Sequence, residues 1–136
     1  MNQINSSNKY PDLAKEWLLR AQDDELSCKD ILDDRGGAPN TVCFLSQQIA
    51  EKVLKAFLCY HGVEFPKIHQ LDELLKLCAR IDADFDSLID SAEDLTPFYI
   101  STRYPGDYPT YSFEDAEGAF QKASEIKNFV LKQLPL

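Results

Sequence analysis

At 136 residues with a formal net charge of −9, the chain suits one domain able to bury roughly two thirds of its unfolded surface. That balance excludes a broad nucleic-acid surface, which needs clustered Lys and Arg to displace counterions. No apolar run approaches the ~18 residues of a membrane span, and Met1–Asp12 lacks the basic start and apolar block of a signal peptide, so a cytosolic location without a membrane partner is expected.

Residues 1–10, with Asn, Ser and Gln prominent, read as a flexible lead-in to a single domain over 11–136. Pro11 opens a helix to about Asp34, and Leu13, Ala14, Trp17, Leu18, Ala21, Cys28, Ile31 and Leu32 follow its period. Asp24 and Glu25 fall in the same stripe. Because isolated buried charge is costly, they are expected at its solvated edge; the alternative places one of them against a site between helices. Arg35-Gly36-Gly37-Ala38-Pro39 is a turn carrying both helix breakers.

The stretch Asn40–Gly62 is the expected central helix. Its polar residues Gln47, Gln48, Glu51, Lys52 and Lys55 fall inside an arc of about 140°, and the rest is apolar or small. A helix apolar over most of its circumference must be wrapped by neighbours. The polar stripe is expected to be solvated, with Glu51 and Lys55 a favourable i, i+4 pair. Pro39 with Asn40 or Thr41 supplies the start, and Gly62 a left-handed stop.

Pro66 then forces an extended link, and a short helix is expected from about Gln70 to Arg80. From Ile81 the chain turns acidic, yet Phe85, Leu88, Ile89, Ala92 and Leu95 keep the helical period above an acidic solvated face. Thr96-Pro97 restarts a turn, and Ser101–Tyr111, with Pro105, Gly106 and Pro109, reads as irregular. Ser112-Phe113-Glu114-Asp115 has capping-box spacing and opens a last helix to about Leu134. The expected fold is all-α, an up-and-down four-helix bundle with one additional short helix.

The cysteines Cys28, Cys43, Cys59 and Cys78 are widely spaced, form no C-x-x-C, and read as reduced core residues. His61 and His69 flank a loop that contains Glu64, but their spacing matches no zinc pattern, so no metal is expected. G-x-x-x-x-G-K-[ST], G-x-S-x-G and H-E-x-x-H sequences do not occur. Charge is uneven: residues 40–80 carry five Lys/Arg against four Asp/Glu, whereas residues 81–136 carry four against eleven. An anion site therefore belongs around the central helix and its following loop, or at an isolated Arg. The segment ISTRYPGDYPTYS supplies such an Arg, together with Tyr99, Tyr104, Tyr108, Tyr111 and Asp107. Guanidinium binds phosphate in bidentate fashion and aromatic faces stack on bases, so these residue types suit a nucleotide. The plainer alternative is that Arg103 pairs with local acids while the tyrosines pack the loop onto the bundle.

Trp17-Leu18 with Ala21 and Asp24, then SQQIAEKVLKAFL at 46–58, Gly62, Pro66-Lys67 with His69 and Leu71, and Tyr99 with Thr102-Arg103-Tyr104-Pro105 together resemble a HEPN domain over about 11–134. The resemblance implies a helical bundle, usually a homodimer, often beside a minimal nucleotidyltransferase in a toxin–antitoxin pair. No cofactor is implied. Some relatives are described as nucleotide-binding, and as such a module this chain is expected to use Arg103 on phosphate, Tyr104 or Tyr108 as a stacking face and Asp107 in the lining, with Lys52 or Lys55 adding charge if the central stripe borders the loop. Some relatives are metal-independent RNases carrying an R-x(4–6)-H motif. Arg103 matches its arginine, but Tyr108, Pro109 and Thr110 stand where the histidine belongs. An RNase would then rely on Arg103 and Tyr108, and a tyrosine with its pKa of about 10 is a poor proton carrier at neutral pH. A third alternative is a purely structural helical dimer that only holds a partner.

Overall fold

The computed structural model describes residues 10–99 and 109–136, and every regular element among them is helical. Helix α1 spans Pro11–Asp34, α2 Pro39–Tyr60, α3 Leu71–Ile81, α4 Ile89–Leu95 and α5 Phe113–Gln133. Short 3-10 turns at Ala83–Leu88 and Thr96–Phe98 flank α4. None of these helices is long and apolar enough to cross a membrane.

Helix α2 packs between α1 and α5. Fourteen of its 22 residues are buried, against three of 24 in α1, so α2 is the helix that the others wrap, as its composition requires. Lys52 meets Asp24, Arg35 meets Glu117 and Lys127 meets Glu25, which sets α1 antiparallel to α2 and α5 parallel to it. Contacts of Asp94 with Lys122 and of Ser91 with Glu125 set α4 antiparallel to α5. Helices α1, α2, α4 and α5 therefore alternate in direction as an up-and-down bundle, and α3 is the additional short helix. Phe57, Phe85 and Phe129 meet at one end of the core, with ring centroids 4.5 and 4.9 Å apart.

Three local expectations change. Phe85, Leu88, Ala92 and Leu95 are buried as their spacing requires, but the backbone carrying them is a 3-10 turn followed by seven α-helical residues. Polar side chains compete for the backbone there: the Asp84 amide donates to the Asp82 carboxylate, and the Ser87 hydroxyl donates to the Asp84 carbonyl. Asn40 does not cap its own helix. Its amide nitrogen donates to the Pro109 carbonyl at 2.9 Å and its oxygen accepts from the Tyr111 amide at 2.8 Å, so it anchors the approach to α5. Asp24 and Glu25 are partnered between helices by Lys52 and Lys127, not merely at a solvated edge.

Other boundaries follow the sequence. Gly62 ends α2 at φ 68°, a conformation that suits a residue without Cβ. Ser112 and Asp115 close the capping box, each side chain accepting from the other's amide at 3.0 Å. Arg35 locks the α1–α2 corner to α5 by pairing with Glu117 at 2.9 Å and lying 4.5 Å above the Phe113 ring.

All four cysteines are free and buried. Burial pushes the Cys28 thiol up to about 12 and the Cys43 thiol up to about 11. Both must stay neutral in the fold, whereas the unfolded chain loses these protons first. Their contribution to stability is therefore complete below about pH 8.5 and falls as pH rises toward 12, by at most about 1.4 kcal/mol per unit for each group. Urea unfolding at pH 8 and pH 10.5 is expected to show this loss, with a shallower pH dependence in Cys28→Ala/Cys43→Ala. A second prediction concerns Gly118 in α5, where an added Cβ meets nothing within 4 Å. Gly118→Ala is expected to stabilise by about 0.5–1 kcal/mol, a rise of about 2–4 °C in Tm by calorimetry.

Candidate functional site

Three of the five polar residues in the stripe of α2 are buried rather than solvated, and Gln48 and Lys52 are half-buried. Gln47 is fully enclosed, and Glu51 and Lys55 are only 5% and 6% exposed. The i, i+4 spacing stacks the three on one face, and α1 together with the α2–α3 link covers that face. A buried charge needs partners, and Glu51 has three. Its carboxylate accepts from the Gln47 amide at 3.0 Å and from the Lys55 ammonium at 2.8 Å. It also meets His69 Nδ1 at 3.1 and 3.2 Å, one contact to each oxygen. The Lys55 ammonium lies 5.4 Å from the Trp17 ring centroid and 5.7 Å from that of Phe65, aromatic faces that suit a desolvated cation.

His69 is where this buried network meets solvent. Its backbone carbonyl accepts from Gln47 at 3.0 Å, and its ring stacks on Tyr99 with centroids 3.9 Å apart and planes 10° from parallel. The side chain nevertheless stays 44% exposed. Thr96 brings these two aromatic residues together: its hydroxyl accepts from the Leu71 amide at 3.2 Å and donates to the Ala92 carbonyl at 2.9 Å. The start of α3 is thereby joined to the end of α4. His69 and Tyr99 flank that joint, and Phe44 of α2 lies 6.2 Å from Tyr99.

The geometry sorts the residues expected at a site. Arg103, Tyr104, Asp107 and Tyr108 lie outside the described residues. Lys52 donates to Asp24 and Lys55 to Glu51, so both ammonium groups already face a carboxylate. Lys52 also lines a surface groove of about 410 Å³ with Leu13, Glu16, Trp17 and Arg20. The sequence reading did not bring Glu51, Gln47 and His69 together. The available signal was three polar residues at i, i+4 and i+8 on an otherwise apolar helix, a pattern that equally fits a buried network closed by a residue from elsewhere. Among the described residues, no group of three His, Cys, Asp or Glu side chains is placed to hold a metal.

These features define a helical bundle with a charged network inside it and a histidine–tyrosine stack at the network's mouth. The HEPN domain model matches residues 14–134, and the chain belongs to the HEPN family. Its structure is similar to the crystal structure of an archaeal HEPN homologue, with a TM-score of 0.71 and 30% sequence identity. That similarity covers 88% of this chain and 96% of the other. No curated protein matches.

Removing one partner of a buried pair leaves the other charge exposed to a low-dielectric interior. Lys55→Met is therefore expected to cost about 3–5 kcal/mol in urea unfolding, whereas Glu51→Gln/Lys55→Met, which removes both charges, should recover most of that loss.

Proposed function

We propose that this domain is a nucleotide-binding and partner-binding HEPN module of the cytosol. It acts as a homodimer beside a minimal nucleotidyltransferase in a toxin–antitoxin-type pair. The observation that carries the nucleotide reading is the His69–Tyr99 stack over the buried Gln47–Glu51–Lys55 network. Isolated exposed aromatics need no such support, whereas a ligand site needs groups held in place by what lies beneath them.

Arg103 follows Tyr99 by four residues in the sequence. In this reading Arg103 contacts phosphate, Tyr104 or Tyr108 offers a stacking face, and Asp107 completes the polar lining. Lys52 and Lys55, already neutralised, contribute only residual positive potential. The likeness to an archaeal HEPN homologue over 88% of this chain supports the family setting in which partner binding is sought.

Calorimetric titration with a panel of ribonucleotides is expected to give saturable binding to the wild-type protein and none to Arg103→Ala. At 100 times the dissociation constant, the bound nucleotide should stabilise the fold by about 2.7 kcal/mol, which a thermal shift checks independently. Heat and shift both absent would leave a bundle that only holds a partner. Sedimentation at micromolar concentration is expected to show a dimer, and a monomer would remove that part of the reading.

A further inference from the structure

Cations are scarce in this chain, 14 Lys and Arg against 23 Asp and Glu, and most of those on the described helices are committed to a carboxylate. Arg35, Lys52, Lys55, Lys122 and Lys127 each pair with one. Lys67, Lys76 and Arg80 differ: they are exposed and form no ion pair among the described residues. These three stand together. Lys76 and Arg80 border a groove of about 340 Å³ whose other walls are Pro66, Ile68, Glu73 and Leu77, and Lys67 lies between Pro66 and Ile68 in the chain. The i, i+4 step from Lys76 to Arg80 puts both cations on one side of α3, and Ile81, 38% exposed, continues the apolar line of Leu77 by one turn.

Both sides of the groove are anchored. The Ile68 amide donates to the Pro66 carbonyl at 2.9 Å, and the Gln47 amide holds the His69 carbonyl at 3.0 Å, which ties the link to α2. On the other side α3 buries Leu71, Leu74, Leu75 and Cys78 in the core. A surface already fixed in this way has little ordering to lose when something docks on it. We infer that this groove docks an acidic segment of a partner protein, which lays an apolar side chain on Pro66, Ile68 and Leu77 and sets carboxylates against Lys67, Lys76 and Arg80. The inference deepens the partner-binding reading above and rests on it, independently of the nucleotide reading. Charge complementarity selects the occupant: a chain of net charge −9 repels an acidic segment over most of its surface and attracts it where uncommitted cations cluster. Nucleic acid fits worse, because three cations neutralise few phosphates, Glu73 lines the groove, and its walls present no aromatic face to a base.

The experiment selects random linear peptides displayed on phage against wild type and, in parallel, against the groove variant Lys76→Glu/Arg80→Glu. Lys15→Glu/Lys132→Glu is the control: it changes the net charge equally, and its two lysines are exposed on other helices and form no ion pair among the described residues. Wild type and control are expected to enrich peptides in which Asp and Glu flank a large apolar residue, and the groove variant to enrich none of them. The tightest such peptide, followed by fluorescence anisotropy, should bind the groove variant at least about tenfold more weakly than wild type, and its affinity for wild type should fall with added salt. Every substituted side chain is exposed, so melting curves of the three proteins should nearly coincide.

Selection of peptides without acidic residues overturns the proposal, as do acidic peptides that bind the groove variant as tightly as wild type. A changed sedimentation state in the groove variant also overturns it, by making this face a contact between copies of the chain. A labelled oligoribonucleotide bound by wild type and not by the groove variant overturns it in favour of nucleic acid. Gel filtration after co-expression with the minimal nucleotidyltransferase keeps the groove apart from the reading on which it rests. A complex that persists in the groove variant, with no acidic peptides enriched, overturns the groove alone. Absence of both the complex and the enrichment overturns both.

Discussion

A carboxylate held in the interior is the constraint on which the rest of this bundle depends. Glu51 sits on the most enclosed helix, and an unpaired charge there would cost several kcal/mol. The chain meets that requirement from three directions. Lys55 comes from the next turn of α2, Gln47 from the previous one, and His69 from the link into α3. Only the last is a long-range contact, so the charge on α2 determines where the α2–α3 link must lie. With His69 in place, Leu71 is delivered to Thr96, and Thr96 brings Tyr99 over the imidazole. Packing and site are therefore one construction, because the group that must be neutralised for the core to close is also the group that orients the exposed histidine.

The same logic recurs, more weakly, on the flanks. Asp24 and Glu25 of α1 are inter-helix partners of Lys52 and Lys127, which fix how α1 lies against α2 and α5. Their side chains keep only 16% and 13% exposure, so the pairs are largely desolvated and their attraction is offset by that cost, which leaves them to specify register. Arg35 does comparable work at the opposite end through Glu117 and Phe113. A strongly acidic protein thus directs several of its few cations to helix–helix seams.

Much of the fold was legible because it depends on periodicity. The apolar circumference of α2 announced a wrapped helix, Gly62 its end, and Ser112 with Asp115 the start of α5. The 3-10 turn at Ala83–Leu88 was not legible, because its buried positions satisfy a helical period while Asp82 and Ser87 redirect the backbone locally. The buried network was not legible, because the stripe read as a solvated face. A polar stripe looks the same in sequence whether water or a histidine eighteen residues away completes it. The likeness to HEPN domains was carried by an ordered set of short matches. The buried network lies within two of them, SQQIAEKVLKAFL and His69 with Leu71, and these are residues whose joint role appears only in three dimensions.

Asn40 joins parts of the chain far apart in sequence, and that has a thermodynamic consequence. One side chain grips the chain twice where it re-enters, at the Pro109 carbonyl and the Tyr111 amide, while Tyr99 is clamped at the other end by His69. The entropy of bringing those two ends together is therefore spent when the domain folds, not when something binds.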